Sequence, residues 1–207
     1  MNQSLRKKNQ ILLKEEKAKA SGFRFIAGVD EAGRGPLAGP VVAASVILKK
    51  SDFTVRIDDS KKLSAPVREK AYHQILKKAI VGIGIISEDI IDMINIHKAT
   101  RLAMEEAVLN LDRVPDLLLI DGNIRLRLPY PQLGIIKGDQ KCLSIACASI
   151  VAKVTRDRLL KFYDGLFPGY GFSRHKGYGT KSHIAVLKDR GFSPIHRRTF
   201  RVRDRDG

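Results

Sequence analysis

Two apolar stretches, Phe25 to Val29 and Val41 to Leu48, are separated by a segment crowded with Gly33, Gly35, Pro36, Gly39 and Pro40. Proline cannot donate a backbone hydrogen bond, and glycine loses the most freedom on ordering, so this segment belongs in neither a helix nor a central strand. A strand, a compact loop and a second strand is the arrangement left. Apolar runs at Val81 to Ile86, Leu117 to Ile120 and Leu133 to Ile136 predict three more strands. Helical spacing occurs over Pro66 to Ala79, in Ala99, Leu102, Ala103, Ala107 and Leu111, and again in Leu143, Ala146, Cys147, Ile150, Val151 and Val154. Strands first and alternating helices later predict an α/β domain with a mixed sheet. At 207 residues and 43% apolar composition, one core is expected. Around that core, residues 1–21 read as a helical or frayed extension, 22–165 as the core itself, and 166–207 as a basic C-terminal segment packed on it, with a helix near Lys181 to Lys188.

Lys and Arg number 38 against 22 Asp and Glu, a formal charge of +16. A polyanionic partner is the physical expectation, because cations that neutralise phosphates release counterions. No run approaches the ~20 apolar residues of a membrane span, and the N-terminus shows no signal-peptide core, so a soluble cytoplasmic chain is expected. Cys142 and Cys147 suit neither a local disulfide nor a zinc knuckle and read as packing residues.

Acidic residues stand at or just beyond the strand ends: Asp30 and Glu31 after Phe25 to Val29, Asp121 after Leu117 to Ile120, and Asp139 after Leu133 to Lys137. Strand ends of α/β sheets are where sites are built. Carboxylates that converge repel one another unless a cation neutralises them, and an all-oxygen set suits Mg²⁺ or Mn²⁺. Any one of them could instead cap a turn, as Asp121-Gly122 could. On a regular strand Asp30 and Glu31 would face opposite ways, so the strand is expected to end or twist there. Lys61 and Lys62 follow Ser60 just before a helix start, a place suited to phosphate, although solvated lysines would look the same.

These contexts are identified by resemblance. Gly28-Val29-Asp30-Glu31-Ala32-Gly33-Arg34-Gly35-Pro36-Leu37-Ala38-Gly39-Pro40 resembles the opening motif of the bacterial type 2 ribonucleases H, the ribonuclease HII group. The likeness continues through Asp59-Ser60-Lys61-Lys62-Leu63-Ser64, Asn95-Ile96-His97-Lys98-Ala99-Thr100, Ile120-Asp121-Gly122-Asn123, Lys137-Gly138-Asp139, Ala148 to Val154 with Arg156-Asp157, and His175 to Thr180. It implies a ribonuclease-H-like five-stranded mixed sheet flanked by helices, with a basic helical C-terminal segment. It also implies a metal-dependent endonuclease that hydrolyses the RNA strand of RNA/DNA hybrids and cuts 5′ to single ribonucleotides in duplex DNA. Such an enzyme leaves 5′-phosphate and 3′-hydroxyl ends and would serve ribonucleotide and primer removal in replication and repair.

Carried over residue by residue, Asp30, Glu31, Asp121 and Asp139 are the implied carboxylates. Two ions about 4 Å apart would activate water and stabilise the leaving oxygen. Gly33-Arg34-Gly35 is implied to read the 2′-hydroxyl, with Tyr178 packed on the following deoxyribose. A site that hydrogen-bonds that hydroxyl rejects the deoxy analogue. Ser60, Lys61 and Lys62 are implied phosphate contacts, and Asn95 and Thr100 contacts to the DNA strand. His97 stands where leucine is commoner in the group, and Thr199 where serine is. Arg174, His175, Lys176, His196, Arg197 and Arg198 form a basic cluster expected to track the duplex backbone.

A non-catalytic nucleic-acid binder would share the charge but gain nothing from carboxylates placed where phosphates must sit. A phosphate-loop enzyme is excluded by the absence of G-x-x-x-x-G-K-[ST], and the type 1 ribonucleases H lack so long a Gly-rich opening. A monomer is expected.

Overall fold

The structure, a computed structural model, describes residues 14–201. Residues 14–20 are helical (α1). The strands are β1 (Ile26–Ala32), β2 (Val41–Leu48), β3 (Ala79–Ile86), β4 (Leu117–Asp121) and β5 (Gln132–Ile135). The remaining helices are α2 (Ala65–Lys78), α3 (Glu88–Ile94), α4 (Ile96–Leu109), α5 (Leu143–Leu166), α6 (Phe172–His175) and α7 (Lys181–Arg190). The strands form one sheet in the order β3-β2-β1-β4-β5. β1 pairs antiparallel with β2, and β2 with β3, whereas β1–β4 and β4–β5 are parallel. The expected mixed five-stranded sheet is therefore present.

β1 is the strand from which the chain departs to both sides, the place where open α/β sheets leave a crevice. Val41 to Ile47 are buried on both faces of β2, which explains an uninterrupted apolar run where alternation would mark a half-exposed strand. One face packs Ala27, Val29, Leu118 and Ile120 against Ala99, Ala103, Met104 and Ala107 of α4. The other receives α5, whose Ala146, Cys147, Ile150 and Val151 meet α2 and β2. Each large aliphatic side chain buried this way contributes about 1.5–3 kcal/mol. Gly28 is where β1 lies closest to α5: a Cβ there would stand 2.2 Å from the Ser144 carbonyl carbon. That approach seats the first turns of α5 directly behind the end of β1.

The first turn of α5 is finished by a residue far away in the chain. Glu15 of α1 is 5% exposed, and its Oε1 accepts from the Ser144 amide at 2.9 Å and the Ser144 hydroxyl at 2.8 Å. Negative charge at a helix N-terminus is favoured by the exposed amides and the dipole; burial nonetheless raises the Glu15 pKa against that gain. Of the expected N-terminal extension, residues 1–13 lie outside the described residues. Cys142 and Cys147 are free and buried, and burial pushes the Cys142 thiol up to about 12. Among the described residues no helix is long and apolar enough to cross a membrane.

Candidate functional site

β1 does not end at Val29, as the sequence suggested. It runs on to Ala32, with Asp30 paired to Ala44 and Glu31 to Ala43 of β2. What stops at Val29 is the pairing on the other side, where Ile120 of β4 is the last partner. Asp30 and Glu31 thus occupy a strand hydrogen-bonded on one edge and open on the other. Alternation puts Glu31 on the α4 face and Asp30 on the α5 face, yet the two carboxyls come within hydrogen-bonding reach of each other. The Glu31 amide also donates to Asp30 Oδ1 at 2.7 Å.

Asp121 closes β4 beside them, its Oδ1 accepting from the Gly138 amide at 2.6 Å. Asp30 is 5% exposed, and its pKa lies well above the usual range through burial, then repulsion from Glu31 and Asp121. Glu31 is raised too, chiefly by burial; Arg34 opposes the shift, with its Nη1 3.5 Å from Glu31 Oε1. Asp139 sits in a short 3₁₀ turn, Gly138–Gln140, and burial with repulsion from Asp59 and Asp121 pushes it up to about 6. As the side chains stand, no three His, Cys, Asp or Glu groups among the described residues are gathered closely enough to hold an ion. The donor chemistry still fits a hard cation: carboxylate oxygens, buried and mutually repelling, are what such an ion relieves.

Asp59 is the acid that sequence reasoning passed over. It lay in a loop without a strand before it, although its motif was recognised. It caps a 3₁₀ turn, Ser60–Lys62, accepting from the Lys61 amide at 2.9 Å, and lies against Asp139. Lys61 and Lys62 are exposed beside it. Ser60 is turned inward at 4% exposure, accepting a hydrogen bond from the Ser149 hydroxyl of α5 at 2.9 Å. Ser149 in turn lies against Asp30 and lowers its pKa. As placed, Ser60 braces the carboxylates from behind and presents no hydroxyl to a phosphate.

The Gly33-Arg34-Gly35 segment and Tyr178 come together. A Cβ on Gly35 would stand 3.8 Å from Tyr178 Cε1, and Tyr178 is 44% exposed. The two loops are tied by the Leu37 amide donating to the Gly177 carbonyl at 2.7 Å. Gly33 has φ +99°, and a Cβ there would lie 2.1 Å from Arg156 Nε, so only glycine fits. Arg34 reaches from Glu31 to His97, with Nη2 3.3 Å from His97 Nδ1, giving His97 a place beside the site. Asn95 is exposed at the start of α4; its Oδ1 accepts from the His97 and Lys98 amides, and its φ is 70°. Thr100 departs from expectation. It lies on the sheet-facing side of α4 at 0% exposure, out of reach of a bound strand.

The C-terminal basic cluster divides. Arg174 and Arg198 are exposed, but His196 is 2% and Arg197 1% exposed, so these two do not track a duplex. Arg156 of α5, for which the sequence offered no role, is also 1% exposed. The guanidiniums of Arg156 and Arg197 donate to backbone carbonyls of the Gly-rich loop. Burial lowers Arg156 to about 10 and Arg197 to about 9. Behind Tyr178, its carbonyl accepts from His183 Nδ1 at 2.9 Å. His183 Nε2 therefore accepts from His196 Nε2, 3.0 Å away, and His196 Nδ1 accepts from the Ser193 amide and hydroxyl. Each imidazole in that chain is neutral, and burial takes both His183 and His196 down to about 4.

Residues 27–203 match the family model described as Ribonuclease HII. The ribonuclease HII of Enterococcus faecalis is 55% identical over 187 residues, covering 90% of this chain and 73% of that protein. That of Geobacter metallireducens is 57% identical over 182 residues, 87% and 85% of the two chains. Among solved structures, the ribonuclease H2 of Pyrococcus horikoshii superposes with a TM-score of 0.74 at 25% identity, over 86% of this chain and 95% of that one. The Archaeoglobus fulgidus RNase HII, solved in complex with PCNA, gives 0.74 at 26% identity, over 87% and 97%. A Bst-RNase HIII solved with Mn²⁺ shares the fold alone, at TM-score 0.57 and 17% identity over 81% and 63%.

Proposed function

This chain belongs to the ribonuclease HII family, a divalent-metal-dependent group of RNase H2-type endonucleases, and from that premise we propose that Asp30, Glu31, Asp121 and Asp139 are its active-site carboxylates. The reading rests above all on one observation. The raised carboxyls of Asp30 and Glu31 on β1, each repelled by Asp121 at the end of β4, open beside the loop on which Gly35 and Tyr178 meet. Asp30, Glu31 and Asp121 would hold one or two Mg²⁺ or Mn²⁺ ions, drawing together around them, with Asp139 as the outermost ligand. When bound, such ions polarise the scissile phosphate and activate the attacking water.

The protein's own part is placement. Ser149 and the Gly138 amide orient Asp30 and Asp121. Arg34 offsets the charge of Glu31. Lys61 and Lys62 stand exposed where the backbone phosphates of a hybrid would pass, and Asn95 where the opposite strand would. Backbone groups of Gly33 to Gly35 read the 2′-hydroxyl, and the Tyr178 ring packs on the next sugar. Cleavage is 5′ to the ribonucleotide, by direct attack of water, leaving 5′-phosphate and 3′-hydroxyl. The substrate is an RNA/DNA hybrid or a duplex carrying embedded ribonucleotides, and the enzyme acts in the cytoplasm as a monomer.

The test is a duplex with one embedded ribonucleotide, incubated with Mg²⁺, Mn²⁺ or EDTA beside an Asp30→Asn variant. Cutting only with metal and only by the unsubstituted protein is expected. Cleavage that survives EDTA or the substitution would sink the carboxylate assignment, and equal cutting of an all-DNA duplex would sink the sugar reading.

A further inference from the structure

The Gly-rich loop is gripped from its inner side. Arg197 donates to the carbonyls of Gly33 at 2.6 Å, Arg34 at 3.1 Å, Pro36 at 2.9 Å and Gly39 at 2.7 Å through its guanidinium. Its backbone amide donates to Leu37 at 2.9 Å. Arg156 supplies the carbonyls of Ala38 and Pro40, each at 2.9 Å. From Gly33 to Pro40, the Gly35 carbonyl alone lacks a donor among the described residues, and the amides of Gly33, Arg34, Gly35 and Ala38 lack acceptors. Buried backbone groups are normally paired. Apart from the Ala38 amide, the free groups of the loop gather at Gly33 to Gly35, against an exposed tyrosine, and a ligand there would complete them.

We infer that Arg197 is a positioning residue for sugar recognition: by drawing the carbonyls of the loop inward, it leaves the Gly33–Gly35 backbone groups turned toward the substrate at the spacing a ribose requires. The inference rests on the reading of Gly33 to Gly35 as the sugar-reading segment. It also reassigns Arg197, which at 1% exposure lies beneath the loop and touches no phosphate. Only a planar fork with five N–H donors can serve four carbonyls at once; a lysine ammonium has three donors on one atom. Arg156 is equally buried and packs against Gly33, but its hydrogen bonds go to the far end of the loop and the Lys176 carbonyl, so the two arginines separate packing beneath the loop from hydrogen-bonding to the carbonyls of its sugar-reading end.

The experiment measures equilibrium binding of two duplexes, identical except for one ribonucleotide, to proteins carrying Asp30→Asn so that neither is cut. The ratio of the two affinities is the sugar selectivity. Arg197→Lys is expected to lower that ratio about tenfold or more, the scale of a lost hydrogen-bonding arrangement, while affinity for the all-DNA duplex changes by less than about threefold. Arg156→Lys is expected to lower the melting temperature comparably and keep the ratio. A retained ratio in Arg197→Lys, or an equal loss in both variants, overturns the inference, because general loosening would then account for everything.

Gly35→Ala, whose added methyl meets only the Tyr178 ring at 3.8 Å, tests the underlying reading separately. If it keeps the ratio, the loop does not read the sugar. If it loses the ratio while Arg197→Lys keeps it, only the role of Arg197 fails. Should Arg197→Lys not fold, Phe200→Leu removes the ring 4.9 Å from the Arg197 guanidinium carbon, and the same comparison with Arg156→Lys applies, with a smaller loss expected.

Discussion

Two groups of buried ionisable residues adjoin the Gly-rich loop, and they are satisfied in opposite ways. In the C-terminal segment each nitrogen of His183 and His196 has a partner, and the guanidiniums of Arg197 and of Arg156 from α5 are occupied by carbonyls. At the ends of β1 and β4, Asp30 and Glu31 are buried against each other and against Asp121, and their pKa values rise. A completed network rigidifies, whereas an incomplete one stores unfavourable energy that a ligand can release. The first region is scaffold and the second is the site, although both are rich in charge.

The largest effect expected from this contrast is on catalysis. Asp30→Asn should reduce turnover on the order of 10³-fold, the scale on which removing one preorganised charge-stabilising group acts. It should also raise the melting temperature of the metal-free protein near neutral pH, since it removes a buried charge that its neighbours repel. His196→Ala should do the reverse. It leaves His183 Nε2 and the Ser193 donors buried without partners, costing about 2–4 kcal/mol in chemical denaturation. Equal destabilisation by both substitutions would break the distinction between scaffold and site.

That distinction explains which parts were legible in the sequence. Strands and helices were, because apolar periodicity records which faces are buried: α2 was expected over Pro66 to Ala79 and spans Ala65–Lys78. The three principal acids were visible because they follow apolar runs. The continuation of β1 to Ala32 was hidden, since Asp30 and Glu31 break the apolar pattern while the pairing to β2 persists. Arg197, His196 and Arg156 were misread or unassigned for another reason. Nothing local tells a buried arginine from a surface one, because its partners are the carbonyls of a loop more than a hundred residues away in the chain. Thr100 and Ser60 failed similarly, as a small hydroxyl side chain in a recognised motif can face either way.

Acid titration should expose the two regions with opposite signs. Asp139 is held at about 6 against an ordinary 3.8, so protonation favours the folded state. Its contribution is present below about 3.8 and lost as pH rises through about 6. His183 and His196 are lowered to about 4 from 6.5; their contribution is present above 6.5 and lost as pH falls toward 4. Over the same interval the two shifts therefore oppose each other in the metal-free protein. Asp139→Asn should leave the histidine limb alone, with melting temperature falling more steeply on acidification. Added Mg²⁺ or Mn²⁺ should raise the melting temperature of the unsubstituted protein at about pH 7.5 and hardly at about pH 4.5, because ligation competes with protons. A stabilisation independent of pH would mean that the ion binds elsewhere.

The smallest effect concerns Ser149, the α5 hydroxyl that lies against Asp30. That hydroxyl, 2.9 Å from the one of Ser60, lowers the pKa of Asp30 without closing the carboxylate set. Ser149→Ala removes a neutral hydroxyl, leaves a small gap where it stood and takes a partner from buried Ser60, so stability should fall by about 1–2 kcal/mol. Turnover near pH 8, on the alkaline side of the acid limb, should stay within about threefold. The acid limb of the pH–rate profile should move to higher pH, since Asp30 then loses a group that favours its charged form. If Ser149→Ala leaves that limb in place, Asp30 is not the residue whose ionisation sets it, and the acid limb passes to Asp139, which Asp139→Asn would then abolish.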